Sequence, residues 1–159
     1  MSKEIERKFL VVSDVYKSKG VAERYVQGYL CSLPERIVRM RIAGKRAFLT
    51  IKGKMVGISR DEYEYQIPLN DAHEILDKLC EKPLIEKDRW IVTVDNLVWI
   101  VDEFHGENEG LAVAELELKD ETQPFVKPDW IGREVTGASR YFNSNLITHP
   151  FNRWSENEK

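Results

Sequence analysis

The sequence has few of the residues on which several large classes of function depend. Its only cysteines, Cys31 and Cys80, are far apart in the chain and do not form a CxxC pair. They therefore offer no zinc or redox motif; reduced thiols are the simplest interpretation, and a single disulfide remains an open alternative. The histidines His73, His105 and His149 show no HExxH spacing, so we expect them to be structural or surface residues.

Long apolar runs and an excess of one charge are also missing. No segment approaches the roughly 18 apolar residues of a membrane helix, and the N-terminus has no signal-peptide core. The 24 basic and 27 acidic residues leave a net charge of −3, which gives no basic footprint for nucleic acid. We therefore expect a cytoplasmic protein that binds neither membranes nor nucleic acid, with a single domain over residues 1–159.

Alternation of apolar and polar residues with period two is the dominant pattern, and it predicts a mainly β fold. The predicted strands cover residues 3–12, 24–32, 36–43, 46–53, 60–68, 84–94, 97–104 and 112–119. The short polar breaks between them suit hairpins, which favours antiparallel neighbours. Eight strands are enough to close a barrel.

Helical patterns are few. The clearest predicts a helix over residues 70–79, with Asp71 and Glu74 as a capping box. Shorter helices are predicted over residues 14–19, from Pro128 onwards, and over residues 140–146. The predicted fold is therefore an eight-stranded antiparallel barrel with a few peripheral helices.

Charged residues of one sign recur at alternate positions of the predicted strands, so each pair lies on one face of its strand. These pairs are Glu4 with Glu6, Arg39 with Arg41, Glu62 with Glu64, Lys87 with Arg89, and Glu115 with Glu117. For any one strand, a solvated outer face is the more ordinary explanation. Like charges repel, however, and so many same-sign pairs are better explained by ligands that neutralise them, a metal for the acids and phosphate for the bases.

The order of these motifs along the chain resembles a known family. Glu4-Ile5-Glu6-Arg7-Lys8 reads as an ExExK signature, and the later pairs follow in the same order as in the CYTH superfamily, the triphosphate tunnel metalloenzymes. The resemblance extends over nearly the whole chain. It implies an eight-stranded antiparallel tunnel, a divalent metal (Mg²⁺ or Mn²⁺) and a small-molecule triphosphate substrate. One departure is Ile100, where similar bacterial members often carry an acid.

The resemblance also implies roles for individual residues. Metal ligands are expected at Glu4, Glu6, Glu115 and Glu117. Phosphate-binding residues are expected at Arg39, Arg41, Lys52, Lys87 and Arg89, with Arg133 adding a contact from outside the tunnel. Glu62, Glu64 and Asp102 are expected to support these groups, Glu62 and Glu64 either by orienting the bases or by holding a second metal. Lys8 is expected to stabilise the transition state, and Tyr29 would serve as a general base if neighbouring cations lowered its pKa; aromatic packing is the alternative for Tyr29.

Several functions remain open on this sequence. We favour the hydrolysis of inorganic triphosphate to pyrophosphate and phosphate by metal-activated water. The alternatives are a class IV adenylate cyclase, a hydrolase of thiamine triphosphate or a nucleoside triphosphate, and a binding module without turnover. The chain has no GxxxxGK loop, so phosphate binding would not use a P-loop. A homodimer is consistent with the resemblance.

Overall fold

The computed structural model describes residues 3–159, which form nine β-strands and one α-helix. The strands are Lys3–Val11 (β1), Val21–Leu33 (β2), Arg36–Ala43 (β3), Arg46–Gly53 (β4), Ser59–Ile67 (β5), Ile85–Val94 (β6), Leu97–Phe104 (β7), Ala112–Glu117 (β8) and Ile131–Glu134 (β9). The helix is Leu69–Lys78 (α1), and short 3₁₀ turns are Val15–Ser18, Gly106–Asn108, Ser139–Tyr141 and Phe151–Arg153. Within the described part of the chain, no helix has the length and hydropathy of a bilayer-crossing segment.

Eight of the strands close into a barrel. The hydrogen-bonded order runs β5, β4, β3, β2, β6, β7, β8, β1, and β5 pairs back with β1, so that Glu4 lies opposite Arg60. Every strand pairing is antiparallel, as the short connections predict. At the β6–β7 hairpin, Asp95 and Asn96 both adopt positive φ, which these residue types tolerate better than most. The predicted barrel is thus confirmed.

Three of the helix predictions are wrong in detail. No helix follows Pro128, because the chain there turns into β9, a ninth strand that pairs with the second half of β1. Residues 140–146 form one 3₁₀ turn and further turns, in which the Asn145 side chain bonds the Ser139 carbonyl. The capping box does not form, since α1 begins directly after Pro68 with no side-chain cap. The short helix at residues 14–19 is present as a 3₁₀ turn.

The outside of the barrel carries most of the apolar core. Helix α1 covers β2, β3 and β4 through a cluster that includes Met40, Leu76 and Cys80. Gly28 permits this approach, because a Cβ at that position would lie 2.8 Å from the Cys80 Cβ. A second cluster, with Phe9, Trp99 and Trp130 among its members, covers the outside of β1, β7 and β8. Because these outer faces are apolar and covered, the polar faces of the same strands point inward.

One end of the barrel is closed by the C-terminal segment, residues 135–154. Inward-facing apolar residues of β2, β3, β6 and β7 meet this segment in a third cluster. Its members include Tyr29, Ile37, Ile85, Phe104, Tyr141, Leu146 and Trp154. The interior charges are therefore confined to the remaining length of the barrel. Both cysteines are free thiols, so the disulfide alternative is not realised.

Candidate functional site

A polar cavity of about 240 Å³ lies inside the barrel. This is smaller than the roughly 300–1,000 Å³ of sites that hold drug-sized ligands, and it suits a compact ligand. Most residues predicted to form the site line this cavity. They are Glu4, Glu6, Lys8, Tyr29, Arg39, Arg41, Lys52, Glu62, Glu64, Lys87, Arg89, Glu115 and Glu117. The alternation along the strands is what turns them all inward.

Carboxylates concentrate on one side of the cavity, on the adjacent strands β8, β1 and β5. The acidic wall consists of Glu4, Glu6, Glu62, Glu115 and Glu117, and it is accompanied by the three cations Lys8, Lys52 and Arg60. In the β1–β8 pairing, Glu6 lies directly opposite Glu117, and Lys8 lies opposite Glu115. Five carboxyl groups facing three cations leave an excess of negative charge.

The cations of the acidic wall are unevenly distributed among its acids. Lys52 and Arg60 donate to Glu4 over 2.8 and 3.0 Å. Burial alone would raise the pKa of Glu4, but these two partners hold it at about 2. The Lys8 Nζ lies 2.9 Å from Glu115 and 3.8 Å from Glu6. Glu4 and Glu115 therefore have close basic partners, whereas Glu6 has only a distant one.

Glu6 and Glu117 carry the unbalanced charge of this wall. Burial, together with the neighbouring Glu115 carboxylate, raises the pKa of Glu6 to about 7. Burial and the nearby Glu4 and Glu62 also raise the pKa of Glu117, which forms no ion pair within residues 3–159. Two facing carboxylates that lack full compensation are a suitable place for an external cation.

The opposite side of the cavity, on β3 and β6 with β2 between them, is basic. The cationic wall consists of Arg39, Arg41, Lys87 and Arg89. Asp102 lies beneath this wall, where it accepts two hydrogen bonds of 2.8 Å from Arg89 and one of 2.7 Å from Lys87. Although burial opposes its ionisation, these cations hold the pKa of Asp102 well below its usual range. A single carboxylate thus forms ion pairs with two cations.

The other half of the cationic wall repeats this arrangement. Glu64 lies 3.5 Å from Arg39 and 3.3 Å from Arg41, and it accepts a 2.7 Å hydrogen bond from the Thr50 hydroxyl. The Tyr25 ring lies between the Arg41 and Arg89 guanidinium groups, whose central carbons are 5.0 and 4.8 Å from its centroid. Four cations therefore share two close carboxylates, Glu64 and Asp102, and Glu115 of the acidic wall lies 4.0 Å from Arg89.

Burial and this excess of positive charge lower the pKa of two of the four cations, Arg41 and Lys87. Burial, with Arg39 and Arg89 nearby, lowers the pKa of Arg41 to about 10. Burial also lowers the pKa of Lys87 to about 7, and the adjacent Arg89 adds to the effect. Groups that are hard to charge in the empty cavity become easier to charge when an anion binds beside them. The cationic wall therefore has the charge and the arrangement to bind an anion.

Tyr29 lies at the inner end of the cavity, where the Gln27 amide donates a 3.0 Å hydrogen bond to its hydroxyl oxygen. Burial raises the pKa of Tyr29, and this outweighs the opposing effect of Arg39. The lowered pKa that a general base would need is thus not found. In this environment the Tyr29 hydroxyl keeps its proton and can act as a donor.

The acidic wall provides hard oxygen ligands, the kind that Mg²⁺ and Mn²⁺ prefer. Within residues 3–159, however, no three acidic, histidine or cysteine side chains already converge on a single point. Several of the carboxylates are turned towards lysines or arginines instead. The donor chemistry fits a divalent cation, because the raised pKa values of Glu6 and Glu117 show that the bases of the wall compensate their ionised forms incompletely, and a cation would stabilise those forms.

Two predicted site residues lie outside the cavity lining. Asp102 is buried behind Lys87 and Arg89, as a supporting residue would be. Arg133 is exposed on β9, which pairs with β1 outside the eight-strand ring, so it contributes no contact to the cavity. Other residues that line the cavity are not among those that the sequence predicts. Arg60 could have been found from its alternation with Glu62, but Asn143 lies in a turn without periodicity.

Comparison with known proteins gives a consistent answer. The CYTH domain family matches residues 2–149. The chain is 53% identical over 156 residues to an inorganic triphosphatase of Acetivibrio thermocellus, an alignment that covers 98% of this chain and 100% of that protein. This agreement over nearly the whole chain confirms the resemblance that the ordered motifs indicate.

Solved structures share the barrel. The crystal structure of the inorganic triphosphatase NE1496 superposes with a TM-score of 0.65 at 32% identity, covering 92% of this chain and 95% of that one. A putative adenylyl cyclase from Hippeastrum, described as having a dominant triphosphatase activity, gives a TM-score of 0.58 over 74% of this chain and 80% of that one. At 14% identity, the second likeness supports the fold alone.

Proposed function

This chain belongs to the CYTH domain family, and from that premise we propose that it is an enzyme that hydrolyses inorganic triphosphate to pyrophosphate and phosphate. The observation that carries the proposal is the division of one small cavity into an acidic wall and a cationic wall. Triphosphate is a compact polyanion, and its hydrolysis depends mainly on positioning and on neutralisation of charge. The 53% identity to an inorganic triphosphatase supports this substrate over organic triphosphates.

The cationic wall binds the phosphate chain in this proposal. Arg39 and Arg41 offer planar guanidinium groups that pair with two phosphate oxygens at once, while Lys87 supplies a point charge. Asp102 and Glu64 hold these cations from behind, so little side-chain motion is needed on binding. Lys52, which is already paired with Glu4 and Glu62, contributes less charge to the substrate.

The acidic wall holds a divalent metal in this proposal, as expected for a metal-dependent family. Glu4, Glu6, Glu115 and Glu117 would be its ligands, and Mg²⁺ or Mn²⁺ would suit their oxygens. When bound, the metal supplies a Lewis acid that neutralises phosphate charge and activates water. Lys8 is held by Glu115 at 2.9 Å and places a second positive charge beside the reacting phosphate. Tyr29 donates a hydrogen bond from its hydroxyl group to a phosphate oxygen rather than removing a proton from water.

In this function, residues 1–159 act as a single catalytic domain in the cytoplasm on a small molecule, with no nucleic-acid or membrane partner. A homodimer is compatible with this function.

The direct test is incubation of purified protein with Mg²⁺ or Mn²⁺ and either tripolyphosphate or ATP. We expect metal-dependent release of orthophosphate and pyrophosphate from tripolyphosphate. Cyclic AMP as the main product from ATP would instead indicate a cyclase, and faster cleavage of thiamine triphosphate would indicate an organic substrate. Binding of tripolyphosphate without turnover under all metal conditions would contradict an enzymatic role.

A further inference from the structure

We propose that Asn143, in the segment that closes the barrel, is a phosphate-binding residue that donates its side-chain N–H groups to the substrate. This inference rests on the proposed function, because it assigns a further contact to the same cavity. The observation behind it is the position of Asn143 at the inner end of the cavity, next to the cationic wall.

The orientation of the Asn143 amide follows from its neighbours. The charged Lys87 ammonium group lies 2.8 Å away and can only donate, so the atom that faces it is the Asn143 oxygen, Oδ1. The same oxygen accepts a second hydrogen bond, of 3.2 Å, from Gln27 Nε2. Two donors occupy both lone pairs of Oδ1. The opposite side of the amide is therefore the nitrogen, Nδ2.

Nδ2 carries two N–H groups that are available to a ligand. Within residues 3–159, Asn143 takes part in hydrogen bonds only as an acceptor. The residue is partly exposed and lines the cavity. Its side-chain nitrogen has no hydrogen-bond partner in the described part of the chain and is not fully buried, so it is accessible to a ligand. These N–H groups thus face the space in which a phosphate chain would bind.

A neutral donor has a physical advantage at this point. The cationic wall already gathers four cations around two carboxylates, so another lysine or arginine would add to their mutual repulsion. An amide adds a hydrogen bond to phosphate without further charge. The oxygen of the same amide also holds Lys87, which is 1% exposed, and Gln27, which is fully buried, in place through hydrogen bonds.

The C-terminal segment is suited to deliver this contact. Tyr141 and Leu146, on either side of Asn143, are anchored in the apolar cluster that closes the barrel. Phe142 lies beneath Lys8, whose Nζ is 5.9 Å from the ring centroid. The segment therefore touches a lysine of each wall, and its anchors keep the Asn143 amide in place before substrate arrives.

The test is the variant Asn143→Asp, with the dissociation constant for tripolyphosphate measured by calorimetry without metal. Aspartate keeps an oxygen for Lys87 and Gln27 but replaces the N–H donors with a negative oxygen. We expect the dissociation constant to rise roughly tenfold to hundredfold, the range for loss of a hydrogen bond to a charged group. Because aspartate also places a negative charge beside the phosphate chain, a loss of affinity supports the proposal only together with the signal shift of the native amide described below, whereas an affinity equal to that of the native protein would overturn it.

The matched control is Asn145→Asp, two residues further along the same segment. Its side-chain nitrogen donates to the Ser139 carbonyl over 2.7 Å, within the turn and away from the cavity. This variant makes the same chemical change and tests for damage to the segment. Affinity for tripolyphosphate within about twofold of the native value is expected, and a loss equal to that of Asn143→Asp would assign the effect to the segment and contradict a direct contact.

A second measurement uses the native protein and does not depend on a folded variant. The side-chain ¹⁵N–¹H signals of Asn143 should shift when tripolyphosphate is added without metal, and signals that stay in place at saturation would overturn the proposal. The hydrolysis assay on native enzyme separates the two ideas. A protein that binds tripolyphosphate through Asn143 but does not cleave it would refute the proposed function and leave this inference standing.

Discussion

Two buried lysines on opposite walls of the cavity have pKa values that are shifted in opposite directions. Burial would lower the pKa of Lys8, but Glu115 and Glu6 raise it above its usual range. Lys87 is equally buried, and its pKa falls to about 7 because burial and the neighbouring Arg89 outweigh Asp102, the close acid that Lys87 shares with Arg89. The number of carboxylates per cation, rather than depth, separates the two walls. Each wall carries an excess charge that only a ligand of opposite sign can balance.

The largest effect is expected from the acidic wall. Glu6→Ala removes a carboxylate that no close base neutralises, and we expect metal-dependent hydrolysis to fall on the order of 10³-fold. The control is Glu86→Ala, an exposed residue of β6 that pairs with Arg24 outside the barrel. An unchanged rate for Glu6→Ala, measured as phosphate release at saturating Mn²⁺, would refute the metal assignment.

Removal of the shared acid should destabilise the cationic wall itself. Asp102→Asn leaves Lys87 and Arg89 buried without a negative partner, which we expect to lower the free energy of unfolding by about 3–5 kcal/mol. Urea denaturation measures this change. Added tripolyphosphate should restore part of the loss, since it replaces the missing charge. A variant as stable as the native protein would mean that these cations are already balanced.

Substrate affinity should depend more on the cationic wall than on Lys52, which lies with the acidic wall. We expect Arg41→Ala to raise the KM for tripolyphosphate roughly tenfold to hundredfold, as for loss of a charged hydrogen bond. Lys52→Ala should have a smaller effect, because Glu4 and Glu62 already neutralise Lys52. Initial rates over a range of substrate concentrations decide the order, and a larger KM effect for Lys52→Ala would reverse the assignment of the walls.

Binding should also take up a proton at Lys87. A lysine with a pKa of about 7 is largely neutral at pH 8, and a phosphate beside it raises that pKa, so binding at pH 8 takes up a large part of one proton. At pH 5.5 the free lysine is already charged, and this uptake disappears. Calorimetry in buffers of different ionisation enthalpy measures the uptake. Lys87→Met should abolish the Lys87 contribution at pH 8; an unaltered value would place the proton elsewhere.

The smallest effect should come from Arg133. This residue is exposed on β9 and does not line the cavity, so we expect Arg133→Ala to change kcat/KM less than about twofold. Arg60→Ala is the informative partner, because Arg60 lines the cavity and bonds Glu4 over 3.0 Å. An equal loss of kcat/KM for both variants, in the same assay, would show that Arg133 contributes to the site.

Strand periodicity predicted the barrel and most of the cavity for a simple reason. Alternate residues share a face, so placing Glu4, Glu6 and Lys8 on one strand also places them on one wall. The same rule could have found Arg60 and Thr50, which alternate with Glu62 and Lys52. Pairing between distant strands is not encoded in that alternation, and this is why the sharing of Asp102 between two cations was not predicted.

Other features depend on contacts without a local pattern. Asn143 lies in a turn whose shape is fixed by Tyr141 and Leu146 in the apolar cluster, and no spacing in the sequence marks it. The strand β9 is only four residues long and exists through its pairing with β1, so the local sequence, with Pro128 before it, predicts a helix start instead. The raised pKa of Tyr29 reflects burial, which the sequence alone did not reveal.

The division of the cavity can be tested most directly by crystallography with Mn²⁺ and a non-hydrolysable imidotriphosphate, using anomalous scattering at the manganese edge to locate the metal. We predict a manganese peak at bonding distance from Glu6 or Glu117, with phosphate oxygens against Arg41, Lys87 or Arg89. A manganese peak bound by Glu64 or Asp102, or a phosphate chain lying along β1 and β8 away from these cations, would contradict the account.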